Sequence, residues 1–286
     1  MDDATPAALR LEAIDERRFV APNEGSAEIH DVVFGGQLLG QSIVAAARCH
    51  PELRVRSIQT IFARTARVSG ATELHVDPMH SGRSFASHTI TAWQGDRLCA
   101  RSLVLLDVDE PDLIRHAPPM PDVAGPDDSA DGGARGAVFP GSELRIVDDV
   151  DLYSLDAPVG SADLFLWTRF ADAPDDVTIN QAVLAWATDG YLIATAMRPH
   201  AGINQNAAHR TISTGVLAQT VVFHEQFTAR DWLLIAHHST AAGRGRSYGR
   251  ADVFDCDGTL VASFTQTNMI RAMPDATAGG GGRPPL

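Results

Sequence analysis

The chain has 286 residues, 44% hydrophobic and 6% aromatic, with a net charge of −13, which is enough apolar mass for one large domain or two small ones. The sign of that charge and the scarcity of aromatic rings exclude a surface that coats phosphate backbones or stacks bases, so no nucleic-acid partner is expected. All 23 basic residues are arginine, which removes P-loop, Schiff-base and pyridoxal-phosphate lysine chemistry.

The first residues, MDDATPAALRLEAIDERR, are charged and carry no apolar core, so no signal peptide is expected. No run of 18 apolar residues exists, so no membrane span is expected either. Three separated cysteines without a CxxC pair suit a reducing, cytoplasmic setting. His30-Asp31, just before the glycines, reads as a surface turn, with a pocket-lining role as the alternative.

The stretch VFGGQLLGQSIVAAARCHP, residues 33–51, predicts a helix over 36–49 that is apolar on most faces. Such a helix fits when a curved sheet wraps around it. Gly36 and Gly40 fall four apart, on one face. They permit two readings. They can be spacers that let a neighbouring backbone approach. Alternatively, at a helix start, they leave amide donors for an oxygen carrying developing negative charge.

From Ser81, SGRSFASHTITAWQGDRLCARSLVLL alternates apolar and polar residues around Gly95-Asp96 and predicts a β-hairpin. Residues 111–160 are rich in Pro, Gly, Asp and Ala, and 109–163 hold 13 acidic and 3 basic side chains, so most of the net charge sits there. That composition predicts a linker, partly disordered.

A second apolar helix is predicted at roughly 177–188, VTINQAVLAWAT, stopping at Asp189-Gly190. Asp-Gly is an ordinary turn dipeptide. Yet Asp189 is flanked by Trp186, Tyr191 and Leu192, where a carboxylate is costly to bury without partners, so it is also a candidate acid or base. His224 is expected at a strand end. No HExxH or HxH pattern occurs, and no metal site is expected.

Gly245-Arg246-Ser247-Tyr248-Gly249 is a literal G-x-S-x-G, but RADVFDCDGTLVASF behind it alternates like a strand entering a hairpin. Ser247 is therefore expected on a strand, not at a nucleophile elbow. Gln266, in FTQTNMI, is either a satisfied inter-strand residue or an amide able to hold a water or polarise a carbonyl.

The two halves match. Arg83-Ser84-Phe85 corresponds to Arg246-Ser247-Tyr248, 163 residues on, and Gly95-Asp96 with Leu98 to Asp257-Gly258 with Leu260. Each half reads as one helix followed by several long antiparallel strands, an α+β duplication. The expected organisation is an N-terminal unit over 1–110, the linker over 111–160, a C-terminal unit over 161–274 and a flexible tail over 275–286.

Taken together, VFGGQ with Gly40-Gln41, SGRSFASHTITAWQGDRL, Arg198-Pro199-His200, FHEQF with Trp232-Leu233, and DGTLVAS followed by Gln266 resemble the acyl-CoA thioesterase II (TesB-like) family. The resemblance covers about Val33 to Met273, less the acidic insert. It implies a double hotdog fold, two helix-wrapped antiparallel sheets in one chain. It also implies hydrolysis of fatty acyl-CoA to free fatty acid and coenzyme A, without a cofactor, by direct attack of a positioned water. The family holds that water with an aspartate, a glutamine and a serine or threonine. By motif match these are Asp189 and Gln266, but the hydroxyl slot falls on Val216, which can neither donate nor accept.

On a regular strand Thr214 and Thr220 share the face of Val216, and Thr220 is the candidate substitute, although a shift of two residues is about 6.6 Å. Gly36 and Gln37 are the candidates for oxyanion and substrate binding. Arg64, Arg83, Arg244, Arg246 and Arg271 are candidates for the phosphates of coenzyme A. Two other functions compete: a hotdog-type enoyl-CoA hydratase, which would need a histidine where Ala194 stands, and a non-catalytic acyl-CoA binding protein. The resemblance and open sheet edges both favour pairing into a homo-oligomer.

Overall fold

The computed structural model describes residues 4–25, 31–132, 141–154, 156–208 and 210–273, so His30 and the tail from Asp275 lie outside it. Short strands β1 (Glu12–Ala13) and β2 (Arg18–Ala21) precede helix α1 (Gly35–Cys49). Strands β3 (Arg54–Phe62), β4 (Thr72–Ser81), β5 (Phe85–Gln94) and β6 (Arg97–Asp107) complete the first half. The second half runs β7 (Ala130–Asp131), β8 (Glu143–Ile146), β9 (Asp163–Arg169), α2 (Val177–Ala187), α3 (Leu192–Met197), β10 (Ile212–Phe223), β11 (Leu233–Gly243), β12 (Arg246–Phe254) and β13 (Leu260–Ala272).

The strands form one 13-stranded sheet in the order β1-β2-β4-β5-β6-β3-β10-β13-β12-β11-β9-β8-β7. Both expected hairpins are present, turning through glycines with positive φ, Gly95 (60°) and Gly258 (82°). The halves meet where β3 runs antiparallel to β10, with Thr60 opposite Gln219. This is the double hotdog plan, two repeats fused along one sheet. Its outermost strands, β1 and β7, are two residues each, so the edges that would have favoured pairing between copies are blunt.

Helix α1 is buried without interruption from Gly36 to Ala47, and α2 from Ile179 to Ala187. No polar face is needed because the sheet covers one side and each helix covers the other. A Cβ on Gly36 would lie 2.2 Å from the Trp186 carbonyl oxygen, and one on Gly40 would lie 2.9 Å from that of Ala182. Four residues forward in α1 match four residues back in α2, so the helices are antiparallel. The C-terminus of α2 therefore arrives at the N-terminus of α1.

Part of the acidic insert joins the sheet. Strands β8 and β7 extend the sheet beyond β9. Arg169 donates to both oxygens of Glu143 at 2.9 and 3.0 Å, and its guanidinium lies 4.5 Å from the Trp232 ring centroid. Trp167 donates its indole N–H to Ala124 O at 2.9 Å. These strands are too short for alternation to register against the Pro and Gly around them. Among the described residues, no helix is long and apolar enough to cross a membrane.

Gly36→Ala should destabilise the fold by about 1–3 kcal/mol or more, because the methyl meets backbone that cannot move aside. Gly243→Ala, where a Cβ meets nothing within 4 Å, should stay within about 0.5 kcal/mol. Paired thermal melts of the two variants check this, and equal melting temperatures would refute the close approach at Gly36.

Candidate active site

Helix α2 ends in the last-turn bonds Asp189 N to Trp186 O at 3.3 Å and Gly190 N to Ala187 O at 3.2 Å. Tyr191 follows in the left-handed region, with φ 69°. The dipeptide is thus the helix stop its chemistry predicts. The packing adds a second role. The residue before α1, Phe34, gives that helix no side-chain cap. Asp189, from the other repeat, supplies one: Gly36 N–H donates to its Oδ2 at 3.0 Å. A helix N-terminus favours a carboxylate there. The absence of a side chain at Gly35 gives it room, since a Cβ would lie 3.1 Å from Oδ2 and 2.9 Å from the Phe62 ring.

Asp189 is 6% exposed. Burial pushes its carboxyl up to about 6, against the Gly36 and Gly35 amides, which pull it down. Its second oxygen, Oδ1, is buried and meets no donor among the described residues.

Gln266 stands on β13 at 1% exposure. Its Nε2 donates to Thr188 O at 3.0 Å and to Gln219 Oε1 at 2.9 Å. Gln219 Nε2 in turn donates to Thr188 Oγ1 at 2.5 Å, and that hydroxyl donates to Ala185 O at 2.7 Å. A backbone carbonyl can only accept, so the nitrogen of Gln266 must face Thr188. Its Oε1 then points elsewhere, and it too is buried without a donor among the described residues. The structure therefore brings Asp189 and Gln266 to adjacent residues of the α2 terminus, each with one free acceptor oxygen.

Three expectations are corrected. The first concerns Gly36, whose amide is not open to an oxyanion because it is given to Asp189. Of its neighbours, the Gly35 amide acts on the same carboxylate and Gln37 N donates to Phe34 O at 3.0 Å. The second concerns the Gln37 side chain, which accepts from Glu24 N at 3.1 Å and donates to Glu24 O at 3.0 Å. It is fully buried and pins the preceding loop.

The third concerns Thr220. The β10–β13 register shifts between Val216 and Ala218, and a bulge of one residue reverses strand alternation. Beyond it Gln219, Val221 and Phe223 turn inward at 2%, 0% and 2% exposure. Thr220, opposite Thr265 and Gln59, faces the other side of the sheet. Val216 pairs with the fully buried Asn268, two residues along β13 from Gln266.

Gln219 and Thr188 were missed. Gln219 carries the same signal as Gln266, a lone amide in an apolar strand, but the bulge that swings it inward leaves no mark in the sequence. One polar rung results across the sheet centre: Ser102, Thr60, Gln219 and Gln266 are successive partners on β6, β3, β10 and β13.

The five candidate arginines are all exposed. Arg244, Arg246 and Arg271 gather at the β11–β12 turn, where Ile270 N donates to Gly245 O at 3.1 Å. Ser247 lies on β12 at 3% exposure, with Asn268 Nδ2 at 3.4 Å, as a strand residue. His224 falls just past the end of β10, as expected. His237 is buried, and that burial pushes its pKa down to about 4. Among the described residues, no group of three or more His, Cys, Asp or Glu could hold a metal ion.

Family models match both halves of the chain: the acyl-CoA thioesterase N-terminal domain over residues 23–106 and the acyl-CoA thioesterase C-terminal domain over residues 116–270. The chain is similar to acyl-CoA thioesterase 2 of Haemophilus influenzae, 26% identical over 92% of this chain and 95% of that protein. It is similar to acyl-coenzyme A thioesterase 8 of Mus musculus, 24% identical over 95% of this chain and 90% of that one. Among solved structures, acyl-CoA thioesterase II TesB2 of Mycobacterium marinum superposes with a TM-score of 0.77 at 26% identity, covering 93% and 98% of the two chains. With both repeats accounted for, the chain belongs to the TesB-like acyl-CoA thioesterase family, thioester hydrolases of double hotdog fold.

Proposed function

We propose that the chain hydrolyses fatty acyl-CoA to free fatty acid and coenzyme A by direct attack of a water held between Asp189 and Gln266. The observation that carries this reading is the pair of buried, donorless oxygens, Asp189 Oδ1 and Gln266 Oε1, at one helix terminus. Buried acceptors want donors, and one water offers two O–H groups. Gln266 turns its carbonyl end to the site, which suits orienting a water and not polarising the thioester. Ionised Asp189 takes a proton as the water oxygen bonds to the thioester carbon. The carbon–sulfur bond then breaks, and the thiolate leaves with coenzyme A and takes up a proton. No acyl-enzyme is needed, and the hydroxyl of Thr188 is already spent on Ala185 O.

A carboxyl near 6 is mostly ionised at neutral pH and close enough in basicity to accept a proton. Thiol release from acyl-CoA should therefore fall as pH drops through about 6, following protonation of Asp189. Asp189→Asn should lower kcat by roughly a hundredfold or more, while acyl-CoA still binds. A thiol-reagent assay reads both; turnover near the wild-type level in the variant would remove Asp189 from the reaction. A hydratase would release no thiol at all.

The same shift has a stability sign. The folded carboxyl, near 6, lies above its ordinary 3.8, so folding favours the protonated form. That stability is fully present below pH 3.8 and lost as pH rises through 6. At pH 7.5 the buried charge costs about 3 kcal/mol. Asp189→Asn should melt higher than wild type at pH 7.5, with the gap narrowing by pH 5. A variant that melts lower at pH 7.5 would show that the carboxylate is not paying a burial penalty.

A further inference from the structure

We infer that Gln219 is a positioning residue of this reaction: it locks the side-chain amide of Gln266 so that only its carbonyl oxygen faces the attacking water. The inference rests on the water-holding reading of Asp189 and Gln266 given above. A free glutamine amide can turn over, exchanging an acceptor for a donor. In this site the two ends are not equivalent, because an N–H facing the water would occupy a lone pair of the oxygen that must attack the thioester carbon, whereas a carbonyl oxygen accepts one of the water's O–H groups and leaves the lone pairs free.

The hydrogen-bond chain fixes the choice. Thr188 O and Ala185 O are backbone carbonyls and can only accept, so they anchor the chain at both ends. From Ala185 O the chain passes to the Thr188 hydroxyl at 2.7 Å, to Gln219 Nε2 at 2.5 Å, and from Gln219 Oε1 to Gln266 Nε2 at 2.9 Å. It closes at Thr188 O, 3.0 Å from the same Nε2. Both protons of Gln266 are thereby assigned, and turning its amide breaks two hydrogen bonds at once. Thr188 is fully buried, Gln219 2% exposed and Gln266 1% exposed, so little bulk water is at hand to replace those bonds.

The sequence context explains why this residue is needed. Val216, just before the bulge on the inner face, offers nothing to an amide or a water. The bulge between Val216 and Ala218 brings Gln219 onto the inner face directly opposite Gln266. A neighbouring strand thus supplies a polar partner of another kind, acting on Gln266 and not on the water.

A double-mutant cycle tests this with Gln219→Leu, Gln266→Leu and the pair combined, reading kcat and KM on acyl-CoA. Gln219→Leu should lower kcat roughly tenfold or more through misplacement of the water, with KM within about twofold. In the Gln266→Leu background the same change should cost nothing further, because the amide it holds is gone. Gln219→Glu, whose neutral acid repeats both hydrogen bonds, should recover most of the lost kcat. Wild-type kcat in Gln219→Leu, or losses that multiply in the double variant, would overturn the inference. Full kcat in Gln266→Leu alone would instead sink the water-holding reading, and the role of Gln219 with it.

Discussion

A carboxylate from the second repeat caps the helix of the first, and much of the remaining architecture is a condition for that contact. Gly36 N–H reaches Asp189 Oδ2 at 3.0 Å only because α1 and α2 run antiparallel and nearly touch. That approach requires glycine at 36, where the backbone of Trp186 fills the place of a side chain. The carboxylate needs glycine at 35 for the same reason. Two amides at a helix start offset part of the cost of burying a charge. They leave enough of that cost standing to hold the group near 6. A fully compensated aspartate would be a poor base, and an uncompensated one would stay protonated.

The duplication makes two helix ends, and the structure uses them differently. At the start of α2, Asp176 accepts from Ile179 N at 3.0 Å, so that helix is capped from within its own repeat. No acid arrives from the end of α1, where Arg48, Cys49 and His50 stand. Along the sheet the same divergence shows in the central rung. The first repeat places Thr60 and Ser102 there, hydrogen-bonded to each other at 2.7 Å. The second places two glutamines, whose longer amides reach Thr188. Short hydroxyl residues close the sheet on itself, whereas long amides connect it to the helix terminus. The rung of one repeat packs within the sheet, and that of the other reaches the α2 terminus beside Asp189.

Gln219 and Gln266 are tolerated so deep in the molecule because hydrogen bonds link them to each other and to Thr188 at the helix end. The carbonyls of Ala185 and Thr188 give the network direction, and the hydrogen bonds between them leave Gln266 one orientation. Beside the Thr188 network, Gln266 Oε1 and the neighbouring Asp189 Oδ1 are left without a donor among the described residues, and these are the oxygens the proposed reaction uses. For the proposed reaction, such an arrangement is set before any substrate arrives, so little reorganisation remains for the chemical step.

Much was legible in the chain itself. The two apolar helices, both hairpins and the α+β duplication follow from apolar periodicity and from glycine at turns, because burial and backbone geometry impose those patterns locally. Asp189 and Gln266 stood out as polar residues in apolar surroundings, and the family resemblance joined them. Contacts between distant segments were not legible. Nothing near Gly36 announces that its amide will be taken by a side chain 153 positions away, which is why it read as an oxyanion donor. Strand alternation placed Thr220 inward, and a bulge of one residue, with no composition of its own, replaced it with Gln219. The acidic insert carried the composition of a linker, yet an available edge on β9 ordered part of it into strands. Local propensity and periodicity fixed what each segment is; only the packing of the two repeats decided which polar groups meet, because hydrogen-bond partners are chosen by position in space and not by distance along the chain.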